Sequence, residues 1–299
     1  MVLGPTASGK SDLALRIAQE IGGEIVNFDS VQVYKGFDIG SAKTPVQERG
    51  GVPHHLIDVL DADEVFSAGD FARRARPLLS DLKARGCTPV LAGGTGFYLR
   101  ALLTGLFDGP GRDRLLRTRL EQTASQRPAG YLHRLLNKLD PQSAAAIHPN
   151  DQPKLVRALE VCLLEGAPRS SVLDRGLEPL EGFRILRLGL DPPRDRLYAR
   201  INERASRMFE GGLVEEVRAL LASGVARDAW PLQALGYRQA VAVIDGELDL
   251  EEAVEETALK TRRYAKRQLT WFRRQEPETH WVEDFGDTDA AFARWRALQ

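Results

Sequence analysis

Eight residues near the start of the chain, Gly4-Pro5-Thr6-Ala7-Ser8-Gly9-Lys10-Ser11, match the pattern G-x-x-x-x-G-K-[ST] at every fixed position. Each type has a physical task there. The glycines let the backbone wrap a phosphate so that several N–H groups converge on it at a helix N-terminus. Lys10 adds a point charge, and the Ser11 hydroxyl suits Mg²⁺. The loop indicates a polyphosphate, a nucleotide such as ATP included, without saying which. Further along, Asp29 closes an apolar run, Ile25-Val26-Asn27-Phe28, and opens Ser30-Val31-Gln32. A carboxylate at the end of a strand is placed to hold a metal's water or to accept a proton from a nucleophile. It is equally placed to cap a turn. Thr95, in Gly93-Gly94-Thr95-Gly96, has the same two readings: a hydrogen-bond donor to a phosphate oxygen, or a helix N-cap.

A third cluster lies near the C-terminus. Between Lys260 and Arg274 there are seven Lys or Arg residues and no acid. On a helix Lys260, Arg263, Arg267 and Arg274 share a face, with Tyr264 and Trp271 beside it. Cations with interleaved aromatics grip single-stranded nucleic acid. Alone, the same segment also reads as a solvated helix face balanced by the acidic run Asp245–Glu256.

The elements that must carry these residues follow from periodicity. Met1–Leu3 reads as the tail of a strand that runs into the glycine loop, unusually short or trimmed because only three residues precede Gly4. Apolar spacing predicts a helix over Ser11–Ile21, strands over Glu24–Phe28 and Thr88–Ala92, and helices over Phe71–Arg85 and Phe97–Leu106. Strand–turn–helix repeated in this way predicts an α/β fold, a P-loop NTPase-like parallel sheet core. From about Arg112 to Glu165 the periodicity is only helical, and Phe183–Leu190 reads as a strand returning to the sheet. Residues 109–182 are therefore expected to form a mostly helical insertion domain, with 1–108 and 183–299 making the catalytic core. Helices are expected again over Arg194–Ser223, Leu235–Ile244 and Glu251–Gln275.

Bulk properties narrow the setting. With 299 residues, 43% of them hydrophobic, the chain supports one or two domains. The 41 basic residues nearly cancel the 42 acidic ones, so any nucleic-acid surface is local. The two cysteines, Cys87 and Cys162, lie far apart and form no metal or disulfide motif. No apolar run approaches the roughly 20 residues of a membrane span, and no secretory leader is visible. A soluble, cytoplasmic protein with no membrane partner is expected, and a monomer. His54-His55 lacks a third ligand at useful spacing and reads as structural, near the phosphate pocket. His133, His148 and His280 read as surface or helix-end residues.

Taken together, eight blocks resemble the tRNA dimethylallyltransferases in order and spacing. They are GPTASGKS at Gly4–Ser11, DSVQVYKGFDIGSAK at Asp29–Lys43, PHHLID at Pro53–Asp58, FSAGDF at Phe66–Phe71, GGTGFYLRAL at Gly93–Leu102, HPNDQPKLVRALEV at His148–Val161, LQALGYRQ at Leu232–Gln239 and TRRYAKRQLTWFR at Thr261–Arg273. The resemblance spans nearly the whole chain. It implies that the loop holds the diphosphate of dimethylallyl diphosphate with Mg²⁺. It also implies that the exocyclic N6 of the adenosine 3′-adjacent to the anticodon attacks the first prenyl carbon and diphosphate leaves. Under the resemblance Asp29 is the base, Thr95 contacts the reacting region, Lys10 serves the diphosphate and Ser11 the metal. Arg204, by its own surroundings a helix-surface arginine, becomes a diphosphate ligand. The implied tRNA contacts are Asp29-Ser30-Val31-Gln32, Thr95, Arg117, Pro153-Lys154-Leu155-Val156-Arg157, Gln233-Ala234-Leu235-Gly236-Tyr237-Arg238 and Lys266-Arg267-Gln268-Leu269-Thr270-Trp271-Phe272-Arg273. The helical insertion is expected to clamp the anticodon stem-loop from the other side. Ser11 stands where Thr is common in the family, and both hydroxyls suit Mg²⁺. No zinc-finger extension follows, as in the compact bacterial form.

Three other functions use part of this pattern. A P-loop kinase or NTPase would employ the loop and Asp29 but not the basic helix. Prenyl transfer to free AMP or ATP would not need so wide an RNA surface. A non-catalytic RNA-binding protein switched by nucleotide would need no base at Asp29.

Overall fold

The computed structural model describes residues 1–106, 109–173 and 178–299, without the side chain of Leu173. The expected domain boundary at Asp108 and part of the expected insertion therefore lie outside the described residues. Backbone proximity divides the chain into two units, Met1–Leu103 with Leu180–Gln299, and Thr104–Pro179. The division falls a few residues before the boundaries expected at 108 and 182. The first unit closes on itself where the chain leaves and returns: Leu180 N–H donates to Leu103 O at 2.8 Å.

The first unit runs β1 (Val2–Leu3), α1 (Lys10–Ile21), β2 (Glu24–Asn27), β3 (His54–His55), α2 (Ala68–Ala84), β4 (Pro89–Ala92) and α3 (Gly96–Leu103). The second unit contributes α4 (Arg114–Gln126), α5 (Tyr131–Leu139), α6 (Pro141–Ala146), α7 (Gln152–Glu165) and α8 (Arg169–Leu173). The chain then resumes with β5 (Leu188–Leu190), α9 (Arg194–Glu210), α10 (Leu213–Ala222), α11 (Tyr237–Ile244), α12 (Leu250–Gln275), β6 (His280–Val282) and α13 (Asp289–Arg296).

The six strands form one sheet in the order β3-β2-β4-β1-β5-β6, all pairs parallel. β1 is fully buried and central, so the loop that follows it emerges in the middle of the sheet's C-terminal edge. The turns after β2 and β4 emerge on the same edge, which is where parallel α/β sheets bind ligands. One core lies between α1, the sheet and α13: Leu13, Ile17, Ile25, Val90, Leu190 and Trp295 pack together there. The second unit has its own core of Leu120, Leu132, Leu136, Ile147, Leu155 and Leu159. Cys87 and Cys162 are both free thiols. Among the described residues no helix is long and apolar enough to cross a membrane.

Several expectations are corrected. The strand expected over Phe183–Leu190 is limited to Leu188–Leu190, the three residues that pair with β1 on one side and β6 on the other. The helix expected over Arg194–Ser223 breaks at Gly211-Gly212, where Gly212 takes φ +96°, a conformation that L side chains resist. His54 and His55 are structural but do not line the phosphate cleft. They form edge strand β3, where His55 Nε2 meets Glu24 at 2.5 Å and His54 Nδ1 meets Val52 O at 2.8 Å. His280 is exposed, as a surface residue is expected to be, and stands at the start of β6 rather than at a helix end. β3, β6 and α13 have no counterpart in the sequence reading.

Candidate active site

The loop after β1 is built for close approach. Gly4 has φ +147° and a methyl group there would sit 2.9 Å from Leu190 O. Ala7 and Gly9 adopt φ +62° and +81°, turning successive N–H groups inward. Gly9 caps α1 with no side-chain hydrogen bond, so the first-turn N–H donors are left for a ligand. The Ser8 hydroxyl is fully buried and has no partner among the described residues. Lys10 Nζ donates to Pro5 O at 2.6 Å, folding back over the loop.

A buttress behind the loop was not visible in the sequence. Gly286 N–H donates to Ser8 O at 2.8 Å, and a methyl group on Gly286 would stand 2.1 Å from Gly9 O. Asp287 beside it holds Arg200 through two bonds of 2.9 Å. Gly286→Ala must therefore push the loop out of shape, an overpacking cost of about 1–3 kcal/mol. Diphosphate affinity, measured calorimetrically on the folded variant, is expected to fall at least roughly tenfold, the equivalent of 1.4 kcal/mol.

The loop opens on a cleft of about 830 Å³ lined by Thr6–Asp12, Asp29–Gln32, Ile39–Pro45, Gly93-Gly94, Arg204, Gln233–Leu235, Tyr264, Arg267 and Gln268. Its electrostatics are unbalanced. Burial, then the Arg204 guanidinium, lower Lys10 to a pKa of about 7, while Asp29 acts in the opposite direction. Arg204 itself is lowered by burial, with Asp29 again opposing. Two half-buried cations thus face one another, an arrangement that an anion relieves. Arg204 is consequently not the surface residue its local sequence allows. It reaches the cleft from α9, where the neighbouring Leu197 and Ile201 pack in a core with Ala265 of α12 and Phe285, and Ile201 lines the cleft beside it.

Of the two tasks expected of Asp29, the structure shows the turn cap. Its Oδ1 accepts from Val31 N–H at 2.8 Å and Gln32 N–H at 3.3 Å, which makes it a turn cap. Its Oδ2 has no hydrogen bond among the described residues and lies near Gly94, where the Gln268 amide takes the space a side chain would need. Thr95 Oγ1 accepts from Ser30 N–H at 3.0 Å and its carbonyl begins α3 by accepting from Tyr98 N–H at 2.9 Å. Thr95 thus ties the Asp29 turn to β4's end and does not line the cleft. Tyr264 does line it. Burial, then Asp29, push its phenol up, so it stays protonated as a donor.

Gln268 was expected at the RNA face and is instead an internal bridge. Its Oε1 accepts from Thr6 N–H at 2.8 Å and its Nε2 donates to Gly94 O at 2.9 Å, joining the phosphate loop, the Gly93–Gly96 turn and α12. Trp271 is likewise taken: its ring covers Gly96, where a methyl group would stand 2.3 Å from Cε3. Leu155, Val156, Tyr237 and Phe272, all expected at tRNA, are buried core side chains, and Tyr237 OH donates to Glu216 at 2.7 Å. Each occupies the inward position of a helix whose outward neighbours remain available. Arg238, Lys266, Thr270 and Arg273 are exposed, and Leu269 is half-buried. Arg273 pairs with Asp191. The buried Gly236 starts α11 at φ +88°.

In the second unit Arg117 and Arg157 flank Glu160, which is fully buried, at 3.4 and 2.7 Å. Lys154 pairs with Asp151 at 2.5 Å, and Pro153 opens α7. The cleft has one large exposed aromatic that sequence reading missed, Trp230, 44% exposed and set against Tyr34 at 6.0 Å between ring centroids.

The donor set suits a metal–diphosphate and not a bare ion. Among the described residues no cluster of three or more His, Cys, Asp or Glu could hold a metal. Ser11 is exposed at the first turn of α1, and the orphaned Ser8 hydroxyl lies in the same loop, so phosphate oxygens would have to supply most of the ligands.

Comparison with known proteins agrees with this geometry. The IPP transferase family matches residues 32–275. A tRNA dimethylallyltransferase of Solibacter usitatus is 58% identical over 96% of this chain and 92% of its own length, and one of Koribacter versatilis 55% identical over 97% and 94%. The crystal structure of the full-length tRNA isopentenylpyrophosphate transferase of Bacillus halodurans superposes with a TM-score of 0.71 at 39% identity, covering 99% of this chain and 94% of that one. A eukaryotic dimethylallyltransferase acting on tRNA superposes at 0.80 with 28% identity, covering 99% of this chain and 76% of its own. A phosphate loop, an acid at the next strand's end and a half-buried arginine in one cleft, together with these matches along almost the whole chain, lead to one conclusion: the chain belongs to the tRNA dimethylallyltransferase (IPP transferase) family.

Proposed function

We propose that this chain transfers a dimethylallyl group from dimethylallyl diphosphate to the exocyclic N6 of the adenosine 3′-adjacent to the anticodon in tRNA. One observation carries the reading: a carboxylate, Asp29, opens into the same cleft as two cations, Lys10 and Arg204, which make no ion pair among the described residues and have only that carboxylate to offset them. A diphosphate supplies that anion, and its leaving charge is what such cations stabilise. N6 attacks the first prenyl carbon, the C–O bond breaks with its electron pair going to diphosphate, and the N6 proton passes to Asp29. Adenine N6 is a weak nucleophile, so orientation and proton removal are the protein's contribution. Mg²⁺ would be held by the Ser11 hydroxyl together with diphosphate oxygens, where it would neutralise leaving-group charge. The base must leave its stack to reach this depth.

For the RNA, the exposed cations Arg263, Lys266 and Arg267 on α12 and Arg238 on α11 supply phosphate contacts. The double variant Arg263→Ala/Lys266→Ala is expected to weaken tRNA binding and flatten its logarithmic salt dependence by about 1–2, with donor affinity unchanged. An unaltered salt slope would remove α12 from the RNA surface. The enzyme is taken to work as a monomer in the cytoplasm, where its acceptor resides. The test of the activity is a competition among acceptors. Label from dimethylallyl diphosphate should reach tRNA, and label on free AMP or ATP instead would replace this reading.

A further inference from the structure

The loop that carries Asp29 is held from behind by a buried lysine to which the sequence reading gave no role. Lys43 is 8% exposed, and its ammonium makes three bonds: to Tyr34 O at 2.9 Å, Asp38 Oδ1 at 2.6 Å and Asp58 Oδ1 at 2.6 Å. An ammonium has three donors, so its capacity is filled. The three acceptors come from three places. Tyr34 ends the turn that Asp29 begins, Asp38 stands in the strap running through Ile39–Pro45 along the cleft, and Asp58 follows β3.

The connection to Asp29 runs through hydrogen bonds alone. Tyr34 N–H donates to Val31 O at 3.0 Å, and Val31 N–H donates to Asp29 Oδ1 at 2.8 Å. A second route passes through Gln32, whose Nε2 donates to Ser41 O at 3.0 Å and Ala42 O at 3.3 Å, while its N–H donates to Asp29 Oδ1. Two residues of this network hold left-handed backbone without being glycine, Ala42 at φ +47° and Asp58 at φ +56°. Such conformations persist only where the surroundings over-determine them. Asp58 is itself a ligand of the ammonium, and Lys43 N–H closes the strap on Asp38 O at 3.0 Å.

We infer that Lys43 is a positioning residue: it locks the 29–34 turn and the 39–45 strap into one rigid wall and thereby aims the Asp29 carboxylate at the acceptor. The inference rests on Asp29 being the base. Lys43 lies along the cleft, but its three ammonium donors are all spent on Tyr34, Asp38 and Asp58, so its loss reduces the rate of the chemical step and spares diphosphate affinity, which the Gly4–Ser11 loop supplies.

The test is a double-mutant cycle on the full chain, with Lys43→Met, Asp29→Asn and the pair, read by single-turnover prenyl transfer to unmodified tRNA. Lys43→Met is expected to lower the rate about 10–100-fold with Asp29 present and no more than about threefold with Asn at 29, since residues acting as a unit are not additive. The dissociation constant for diphosphate should stay within about twofold of the unsubstituted protein. Equal losses in both backgrounds, or no loss when Asp29 is present, overturn the inference while leaving Asp29 as base. No loss from Asp29→Asn alone overturns the base assignment and this inference with it. If Lys43→Met does not fold, Asp38→Asn, at an exposed carboxylate, enters the same cycle with a smaller expected loss and the same two contrary outcomes.

Discussion

Asp29→Asn lowers the single-turnover rate of prenyl transfer by about 10²–10⁴. Asparagine is the informative replacement because it keeps the Oδ1 acceptor. The bonds from Val31 and Gln32 N–H at 2.8 and 3.3 Å therefore survive and the turn keeps its shape. What disappears is the negative charge and proton affinity of the side chain, whose Oδ2 is unbonded among the described residues. Donor affinity should change little and in the direction of tightening, because Asp29 opposes no anion once it is neutral. tRNA affinity should hold as well, since a single half-buried carboxylate contributes nothing to phosphate contacts. The experiment is rapid mixing of preformed enzyme–donor complex with tRNA, and equilibrium binding of each substrate beside it. A rate within about threefold of the unsubstituted enzyme would exclude general-base catalysis at this position.

Lys10 carries the second large effect, and it has a pH signature. In the ligand-free protein burial, and after it Arg204, bring Lys10 to about 7, against an ordinary 10.5. The sign follows from that depression. The folded state disfavours the charged form, so Lys10 detracts from stability fully below about 7, and the penalty fades as pH rises from about 7 toward 10.5. A bound diphosphate reverses the balance by giving the ammonium a partner. Donor binding at pH 8 must then take up close to one proton, and affinity must fall with increasing pH above about 7, by up to about tenfold per unit. Calorimetry in two buffers of different ionisation enthalpy counts that proton directly. Lys10→Met should abolish the uptake and cost about 10²–10³ in rate, the scale of removing one preorganised donor to a developing anion. Proton uptake that persists in Lys10→Met would assign the titration to another group.

The parts of this site that were legible in the sequence are those whose chemistry is local. Gly4 to Ser11 is one turn of backbone, and its glycines announce the left-handed geometry found at Gly4 and Gly9. Asp29 and Thr95 were placed because each ends an apolar run long enough to read as a strand. β2 and β4 are such runs, four residues each. β3 and β6, two and three residues with histidine at their starts, carry no periodicity and exist only because a neighbouring strand presents its edge. Gln268 shows the other limit. Its partners lie 262 and 174 residues away, so nothing in the local pattern separates an internal bridge from an RNA contact. Arg204 and Arg117 illustrate both outcomes of that blindness. One arginine turns into the cleft against Lys10, and the other is turned inward onto Glu160. The same holds for Lys43, which reads as one lysine in a charged segment until Asp58 is brought beside it.

The measurement closest to the central claim is nucleoside mapping after a single incubation. Unmodified tRNA, dimethylallyl diphosphate and Mg²⁺ are mixed with the protein, the RNA is digested, and each fragment is weighed. The expected result is one added dimethylallyl group, on the adenosine immediately 3′ of the anticodon, with one diphosphate released per modified tRNA. An unmodified anticodon loop, with the prenyl group on free nucleotide or with phosphate transferred in its place, would contradict it.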